Sequence, residues 1–173
     1  MFFELIGTFA AGFAAAGLVL ILNRVFAGRL PKWLMPVVAG VAMLATTISN
    51  EYGWYARAQN NLPDGIVVAQ TIESQAFYRP WTYVKPYVSR FVAVDHASIR
   101  KNESVPDQRI VNLIFYGRWA PVQQVPVVFD CATARRADVG DGMQFGPEGQ
   151  IINVDWIGLE DDNPVLKTAC AGA

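Results

Sequence analysis

FFELIGTFAAGFAAAGLVLIL, at residues 2–22, is the first of two apolar runs that decide the architecture of this chain. The second is WLMPVVAGVAMLATTISN, at residues 33–50. The first run contains one charged residue, Glu4, and the second contains none. About 20 apolar residues, rising 1.5 Å each, cross the roughly 30 Å hydrocarbon layer of a bilayer. Residues 1–62 are therefore predicted to form a two-helix transmembrane hairpin with a juxtamembrane extension.

The segment between the two runs sets the predicted orientation. It has no acidic residue, and its basic residues are Arg24, Arg29 and Lys32. Short loops rich in Lys and Arg stay in the cytoplasm, and aromatic residues such as those at positions 52–55 settle at the membrane boundary. We therefore expect a bacterial inner-membrane protein with a short cytoplasmic loop. Its N-terminus and its C-terminal domain, residues 63–173, would both lie in the periplasm.

A cleaved signal peptide is the alternative for the first run. Against it, no basic stretch precedes Phe2, and the charges follow the apolar run instead. The run also continues past residues 14–16, a stretch of alanines that resembles a cleavage site. We favour an uncleaved hairpin.

The two cysteines, Cys131 and Cys170, both fall in the predicted periplasmic domain. Neither has a cysteine or histidine neighbour at metal-site spacing, and an even pair in an oxidising compartment most simply forms a disulfide. Two buried free thiols in a cytosolic domain are the alternative, which would require the opposite topology. The loop charges and the cysteines both indicate a periplasmic C-terminal domain, so we favour the disulfide.

The C-terminal domain is predicted to be small and mainly antiparallel β, with a short final helix. Segments rich in Val, Ile and aromatic residues predict strands at residues 66–74, 90–101, 109–118, 125–134 and 150–159. No long amphipathic helix interrupts them, which favours an antiparallel sheet or barrel. Residues 51–62 extend the second helix until the turn signal at residues 63–65. Asn163 is expected to cap a final helix that runs through Cys170.

The sequence VVFDCATARR at residues 127–136 is followed by Trp156 and Cys170. This tail resembles small secreted β domains of the surface-adhesin E type, in which an Asp-Cys near paired arginines precedes a Trp and a terminal Cys. The resemblance covers residues 127–170 only. It implies a β-rich exported domain with a Cys131–Cys170 bridge, and it transfers no catalytic residue.

Small residues on the two apolar runs predict close helix packing in lipid. The candidate helix-docking residues are Gly7, Ala11, Gly12, Ala16 and Gly40. Either these residues pack only within the hairpin, or one helix face docks on a larger integral membrane protein complex. Ionisable residues, which mark ion pathways, approach only the outer ends of the runs, so we do not expect transport by this chain alone.

Residues 76–90, AFYRPWTYVKPYVSR, are here named the aromatic segment. Its candidate interface residues are Tyr78, Arg79, Trp81, Tyr83, Lys85 and Tyr87. In an extended chain the alternate residues from 81 to 87 would share one face, and Trp, Tyr and Arg dominate protein interfaces. The segment is either a docking surface for a partner or lipid headgroups, or the core of the β domain. The small size of the domain slightly favours the core.

An acidic patch is predicted near the C-terminus, formed by Asp138, Asp141, Glu160, Asp161 and Asp162. Such surfaces attract basic partners, and a basic periplasmic electron carrier is one candidate, with ordinary solvation as the alternative. The net charge of −1 and the expected export disfavour nucleic acid as a partner.

No motif predicts catalysis. His96 is the only histidine, and Ser98 on the same strand face has no oxyanion motif around it. Phosphate-loop, dinucleotide and haem-attachment motifs are also missing. We therefore expect no metal, no cofactor and no catalytic site.

Together these patterns predict a non-catalytic accessory or assembly subunit of a larger inner-membrane complex, for which respiratory or photosynthetic electron transfer is the compartment-based expectation. The alternative is a free-standing, membrane-tethered periplasmic binding or sensor module. A third hypothesis is an enzyme that depends on His96 or on a redox-cycling Cys131–Cys170 pair.

Overall fold

A computed structural model describes residues 2–140 and 142–171. The chain folds into two compact units, Met1–Arg57 and Ala58–Ala173. Along the described residues the helices are α1 (Phe2–Val25), α2 (Leu34–Asn60), α3 (Trp81–Val84) and α4 (Pro164–Ala171). The strands are β1 (Ile66–Ser74), β2 (Tyr87–Lys101), β3 (Gln108–Gly117), β4 (Gln123–Asp130), β5 (Arg135–Asp138), β6 (Gln144–Phe145), β7 (Ile151–Ile152) and β8 (Ile157–Gly158).

Helices α1 and α2 are both long and apolar enough to cross a membrane. Only 11% and 6% of their apolar windows are buried inside the protein, whereas the core helix of a soluble protein would be mostly covered. Large apolar side chains such as Phe3, Phe13 and Leu18 are exposed on α1. The first unit therefore presents an outer surface suited to lipid.

The end of α1 is a Schellman motif, which stops the helix before the basic connection. The Gly28 N–H donates to the Asn23 carbonyl at 2.8 Å, and the Ala27 N–H donates to the Arg24 carbonyl at 3.2 Å. Ala27 and Gly28 both adopt positive φ, at 54° and 77°. The Asn23 side-chain oxygen also accepts the Leu30 N–H at 3.1 Å. These bonds satisfy groups that a helix end would otherwise leave without partners in a membrane.

Gly12 is the point of close approach within the hairpin. A Cβ added at Gly12 would lie 2.8 Å from Met43 Cγ and 2.9 Å from Met43 Sδ, so a larger residue would displace the Met43 side chain from its place between the helices. Near the outer ends of the helices, Arg57 Nη2 lies 3.2 Å from Glu4 Oε1 in an ion pair. The two charges nearest the start of α1 and the end of α2 therefore join the helices.

The Gly12 contact predicts the effect of Gly12→Leu. We expect the free energy of hairpin unfolding to fall by about 1–3 kcal/mol, as for overpacked cores, measured by SDS-induced unfolding with circular dichroism. Gly7→Leu is the control, because an added Cβ at Gly7 meets nothing within 4 Å. Equal losses in both variants would contradict this packing.

Within the described part of the second unit, a six-stranded antiparallel sheet has the order β1-β2-β3-β4-β5-β8. The predicted antiparallel layout is confirmed, and β1 has the predicted bounds. Strands β2, β3 and β4 differ from the prediction mainly at their ends, and α4 starts immediately after the expected cap. The Asn163 side-chain oxygen accepts the backbone N–H groups of Val165 at 3.0 Å and Leu166 at 3.2 Å.

The prediction of one strand over residues 150–159 is wrong. The structure places two short strands there, β7 and β8. Asn153 lies between them at φ 61°, a left-handed conformation that breaks extended backbone. The Asn153 amide donates to the Gly142 carbonyl at 2.7 Å and anchors this turn. Strand β5, with its two arginines, was not predicted because four mostly polar residues give no strand pattern.

The main core lies between α4 and one face of the sheet. Alternate residues of β2, β3 and β4 point toward α4, which contributes Leu166 and Ala169. The sheet residues of this cluster are Val92, Val94, Val111, Leu113, Val127 and Phe129. A second cluster on the opposite face contains Val128, Ala137 and Ile151. Val139, Met143, Val154 and Trp156 pack against that second cluster. The Ile151 N–H donates to Gln108 Oε1 at 2.9 Å and ties this region to β3.

The turn between β4 and β5 is built on the buried carboxylate of Asp130. Asp130 Oδ1 accepts the N–H groups of Ala132 at 3.2 Å and Thr133 at 3.1 Å, and Oδ2 pairs with Arg135 Nη2 at 3.0 Å. This turn positions Cys131, whose predicted disulfide with Cys170 is confirmed, with Cα atoms 6.0 Å apart. The bridge ties the end of α4 to the end of β4.

The Asp130 contacts predict a pH-dependent stability. Burial alone would raise the pKa of Asp130, but hydrogen bonds from Thr133 and Arg135 and the charge of Arg135 outweigh burial and lower it. A lowered folded-state pKa gives stability that is present above the unfolded value of about 4 and lost as pH falls through the folded value.

We expect Asp130→Asn to reduce the free energy of unfolding by about 1–3 kcal/mol at pH 7. The difference from wild type should shrink below about pH 4, where the Asp130 carboxylate also becomes protonated. Urea unfolding of the full chain in detergent, followed by tryptophan fluorescence, measures both. Asp138→Asn, an exposed change at the end of β5, is the control. A pH-independent difference would refute the role of the charge.

Candidate functional site

The aromatic segment is not extended as the alternation argument assumed. Pro80 begins a helical turn, α3, and Ala76 forms an isolated antiparallel bridge with Arg79. The buried Thr82 hydroxyl donates to the Arg79 carbonyl at 2.7 Å and accepts the Ala76 N–H at 3.0 Å. The turn replaces the single predicted face with side chains that point in several directions.

Residues of the aromatic segment divide between interior and surface. Tyr87 is buried, and its hydroxyl accepts a hydrogen bond from Arg79 Nη1 at 3.4 Å. The Arg79 guanidinium also lies 5.1 Å from the centre of the Tyr78 ring. Trp81 is half-buried and Lys85 is exposed. The strongly exposed apolar and aromatic side chains, here named the knuckle, are Phe77, Tyr78, Tyr83 and Val84.

The knuckle is unusual in its exposure. Phe77 is 85% exposed and Val84 is 90% exposed, and both flank a turn that is fixed by the buried Thr82. Apolar side chains held outward by a rigid turn form a surface suited to an interaction.

We expect a substitution at Thr82 to destabilise the β domain and one at Phe77 to leave its stability nearly unchanged. Thr82→Val leaves the Ala76 N–H and the Arg79 carbonyl without this partner, so we expect a loss of about 1–3 kcal/mol. Phe77→Ser removes an exposed ring and should change stability by less than about 0.5 kcal/mol. Urea unfolding of the full chain compares the two. A large loss in Phe77→Ser would mean that the knuckle belongs to the folded core.

The candidate helix-docking residues lie on different sides of the hairpin. Gly12 is buried toward Met43, and Ala11 and Ala16 are half-buried. Gly7 and Gly40 are exposed, and an added Cβ at either would meet nothing within 4 Å. Gly17 is also open at its Cβ position. Residues three and four apart share a helix face, so one outward surface, here named the small-residue face, contains Gly7, Ala10, Ala14 and Gly17.

The acidic residues are exposed where the structure describes them. Asp138 lies at the end of β5 and lines a surface depression together with Asp155. Glu160, Asp161 and Asp162 lie in the connection before α4, and Asp141 is outside the described residues. Among the residues that the structure describes, no group of three or more His, Cys, Asp or Glu side chains could hold a metal ion.

Ser98 and His96 lie in an irregular part of β2, where the register with β3 shifts between Asp95 and Arg100. The Ser98 hydroxyl donates to the Asp95 carbonyl at 2.8 Å and accepts the Asn112 N–H at 3.1 Å. The hydroxyl therefore replaces a ladder hydrogen bond where the strands separate. This position gives Ser98 a structural role.

A groove that the sequence analysis missed lies on the sheet face that α4 covers, beside the start of α4. Its volume is about 250 Å³. The apolar lining residues are Val92, Leu113, Phe115, Phe129, Leu159 and Val165. The polar lining residues are Gln70, Arg136 and Asn163. Among the described lining residues none is acidic, so the polar part of the groove is built from one cation and two amides.

Adjacent arginines on β5 have opposite environments because strand neighbours point to opposite faces. Arg135 is engaged by Asp130, and its guanidinium also lies 5.1 Å from the centre of the Trp156 ring. Arg136 pairs in register with Phe129 of the main core, and its side chain lines the groove. The paired arginines at residues 135–136 were visible in the sequence, but the lining of each sheet face was not.

Comparisons with protein-family models, with curated proteins and with solved structures find no match for this chain. The similarity of residues 127–170 to surface-adhesin E type domains stays a resemblance. The function must therefore be argued from the chain itself.

Proposed function

We propose that this protein is an accessory subunit whose hairpin docks on a larger integral protein of a bacterial inner membrane and carries the β domain into the periplasm. The main support is the small-residue face of α1, formed by Gly7, Ala10, Ala14 and Gly17. The first three are exposed, and Gly17 is half-buried but open at its Cβ position. The same helix uses a different residue, Gly12, for its own packing against α2.

Lipid tails cover large apolar side chains and small-residue helix surfaces unequally. Exposed Phe, Leu and Ile side chains are solvated by lipid tails and need no protein partner. A surface of small residues instead lets another helix backbone approach closely, which is how helices associate in lipid. The small-residue face and the open Gly40 on α2 are therefore the hairpin surfaces best suited to a neighbouring membrane helix.

Two features support the proposed orientation. The connection between α1 and α2 contains Arg24, Arg29 and Lys32, which favour the cytoplasm. The Cys131–Cys170 disulfide favours an oxidising compartment for the β domain. Both features favour the periplasmic side for the β domain.

The β domain would contribute a second contact through the knuckle. Its exposed rings lie beside Arg79 and Lys85, a composition typical of interface centres. The exposed acidic residues 160–162 would attract a basic periplasmic electron carrier by long-range electrostatics. This attraction connects the subunit to electron-transfer complexes, the class of complex that we propose.

A free-standing tethered binding module is the second candidate function. The groove beside α4 favours it, because a mostly apolar, concave surface with a few polar groups is the usual form of a small-molecule site.

Purification in mild detergent tests the subunit proposal. We expect the wild-type protein to elute with a larger membrane protein in fixed stoichiometry, identified by mass spectrometry. Gly7→Leu combined with Gly17→Leu should reduce the co-eluting protein at least tenfold while the β domain remains folded. Leu20→Ile, a change among large lipid-facing side chains, is the control.

Elution of the wild-type protein alone, even after cross-linking in cells, would reject the subunit proposal. An intact complex in the Gly7/Gly17 double variant would instead reject the small-residue face as its contact. Phe77→Ser tested in parallel reports on the knuckle separately.

A further inference from the structure

We propose that the groove beside α4 binds a small apolar monocarboxylate, with the carboxylate paired to Arg136. This inference does not depend on the subunit proposal, because it concerns a site wholly within the β domain. It rests on the contacts of Arg136, the donors around it and the volume of the groove.

Arg136 is a half-buried cation whose side chain has no partner among the described residues. Its Nε atom is buried and makes no hydrogen bond, and its guanidinium has no ion pair or ring contact with any residue of the described ranges 2–140 and 142–171. Arginine does not lose its proton in proteins. A positive charge beside apolar walls therefore favours an anion that can enter the groove.

Other arginines with a buried Nε have contacts for their guanidinium groups, so the lack of such contacts is not a general feature of the fold. Arg109 donates from Nη1 to the Cys170 carbonyl at 2.8 Å. Arg118 lies 5.0 Å from the centre of the Trp119 ring. Each of these guanidinium groups has a protein contact, whereas Arg136 has none among the described residues.

The amides in the groove add hydrogen-bond donors. The Asn163 side-chain oxygen is occupied by the N–H groups of Val165 and Leu166 at the start of α4. Its Nδ2 group is therefore the part that is available to a ligand, and this group can only donate hydrogen bonds. Gln70 offers a second amide on the β1 side. A guanidinium with two amides and no lining carboxylate matches the oxygens of an anion.

The apolar walls and the volume define the rest of the ligand. Six of the nine lining residues are apolar, including Phe115, Leu159 and Val165, so most of the ligand surface must be apolar. A volume of about 250 Å³ equals roughly eight water molecules at about 30 Å³ each. One carboxylate with an aromatic ring or a short acyl chain fits this space. A single guanidinium balances one negative charge, which favours a monocarboxylate over phosphate.

The test uses the full chain in detergent with phenylacetate, hexanoate and inorganic phosphate as probes. We expect phenylacetate or hexanoate, and not phosphate, to raise the melting temperature of the β domain in a saturable manner. Isothermal titration calorimetry then gives the dissociation constant. The two carboxylates distinguish an aromatic ligand from a short acyl chain.

Arg136→Met keeps the side-chain stem but removes the charge, and we expect carboxylate affinity to fall at least tenfold. Because the lost charge pairs with no residue of the described ranges, the melting temperature without ligand should be unchanged or higher. Arg136→Lys should bind with intermediate affinity, since it keeps the charge but loses the planar fork. Arg100→Met, an exposed change on the same sheet, should bind as wild type.

Three results would overturn the proposal. The first is no effect of either carboxylate on the wild-type protein. The second is equal binding by wild type and Arg136→Met. The third is stabilisation by phosphate alone, which would indicate a simple anion site. Loss of the co-purifying membrane complex would not affect any of these outcomes, so the two proposals fail independently.

Discussion

The carboxylate of Asp130 is the constraint on which much of the β domain depends. It binds two backbone N–H groups and the Arg135 guanidinium, and these contacts turn the chain from β4 into β5. The turn sets the β5 register, which decides which of the two neighbouring arginines points to each face of the sheet. It also places Cys131 where the disulfide can reach Cys170 at the end of α4. One buried charge therefore organises the helix attachment and one side of the groove.

The hairpin shows how a two-helix anchor can have surface left for a partner. Two helices bury only one face each, so the many small residues of α1 cannot all serve internal packing. Gly12 meets Met43, while Gly7 and Gly17 meet nothing within 4 Å. In lipid, such open faces are the surfaces where another helix can approach closely. This asymmetry supports a subunit role more directly than overall hydrophobicity does.

The two proposals assign different tasks to different parts of the molecule. The hairpin and the knuckle provide surfaces for macromolecules, because their apolar side chains are exposed. The groove provides a small concave volume of about 250 Å³, which matches a small ligand. A subunit that also binds a small carboxylate would link ligand occupancy to the periplasmic face of its complex, since α4 lines the groove and is fixed to the sheet by the disulfide.

The sequence by itself determined helices α1, α2 and α4, the first four strands approximately, the Asn163 cap and the cysteine pairing. Apolar run length, alternation and cap chemistry are local or compositional properties. It did not determine residues 150–159, where the left-handed Asn153 breaks the strand, or the helical turn that divides the aromatic segment between Tyr87 inside and the knuckle outside. Only the tertiary structure decided which glycines of α1 face Met43 and which arginine of β5 has a partner. Those outcomes depend on the residues that other elements bring to each face, and no local pattern contains that information.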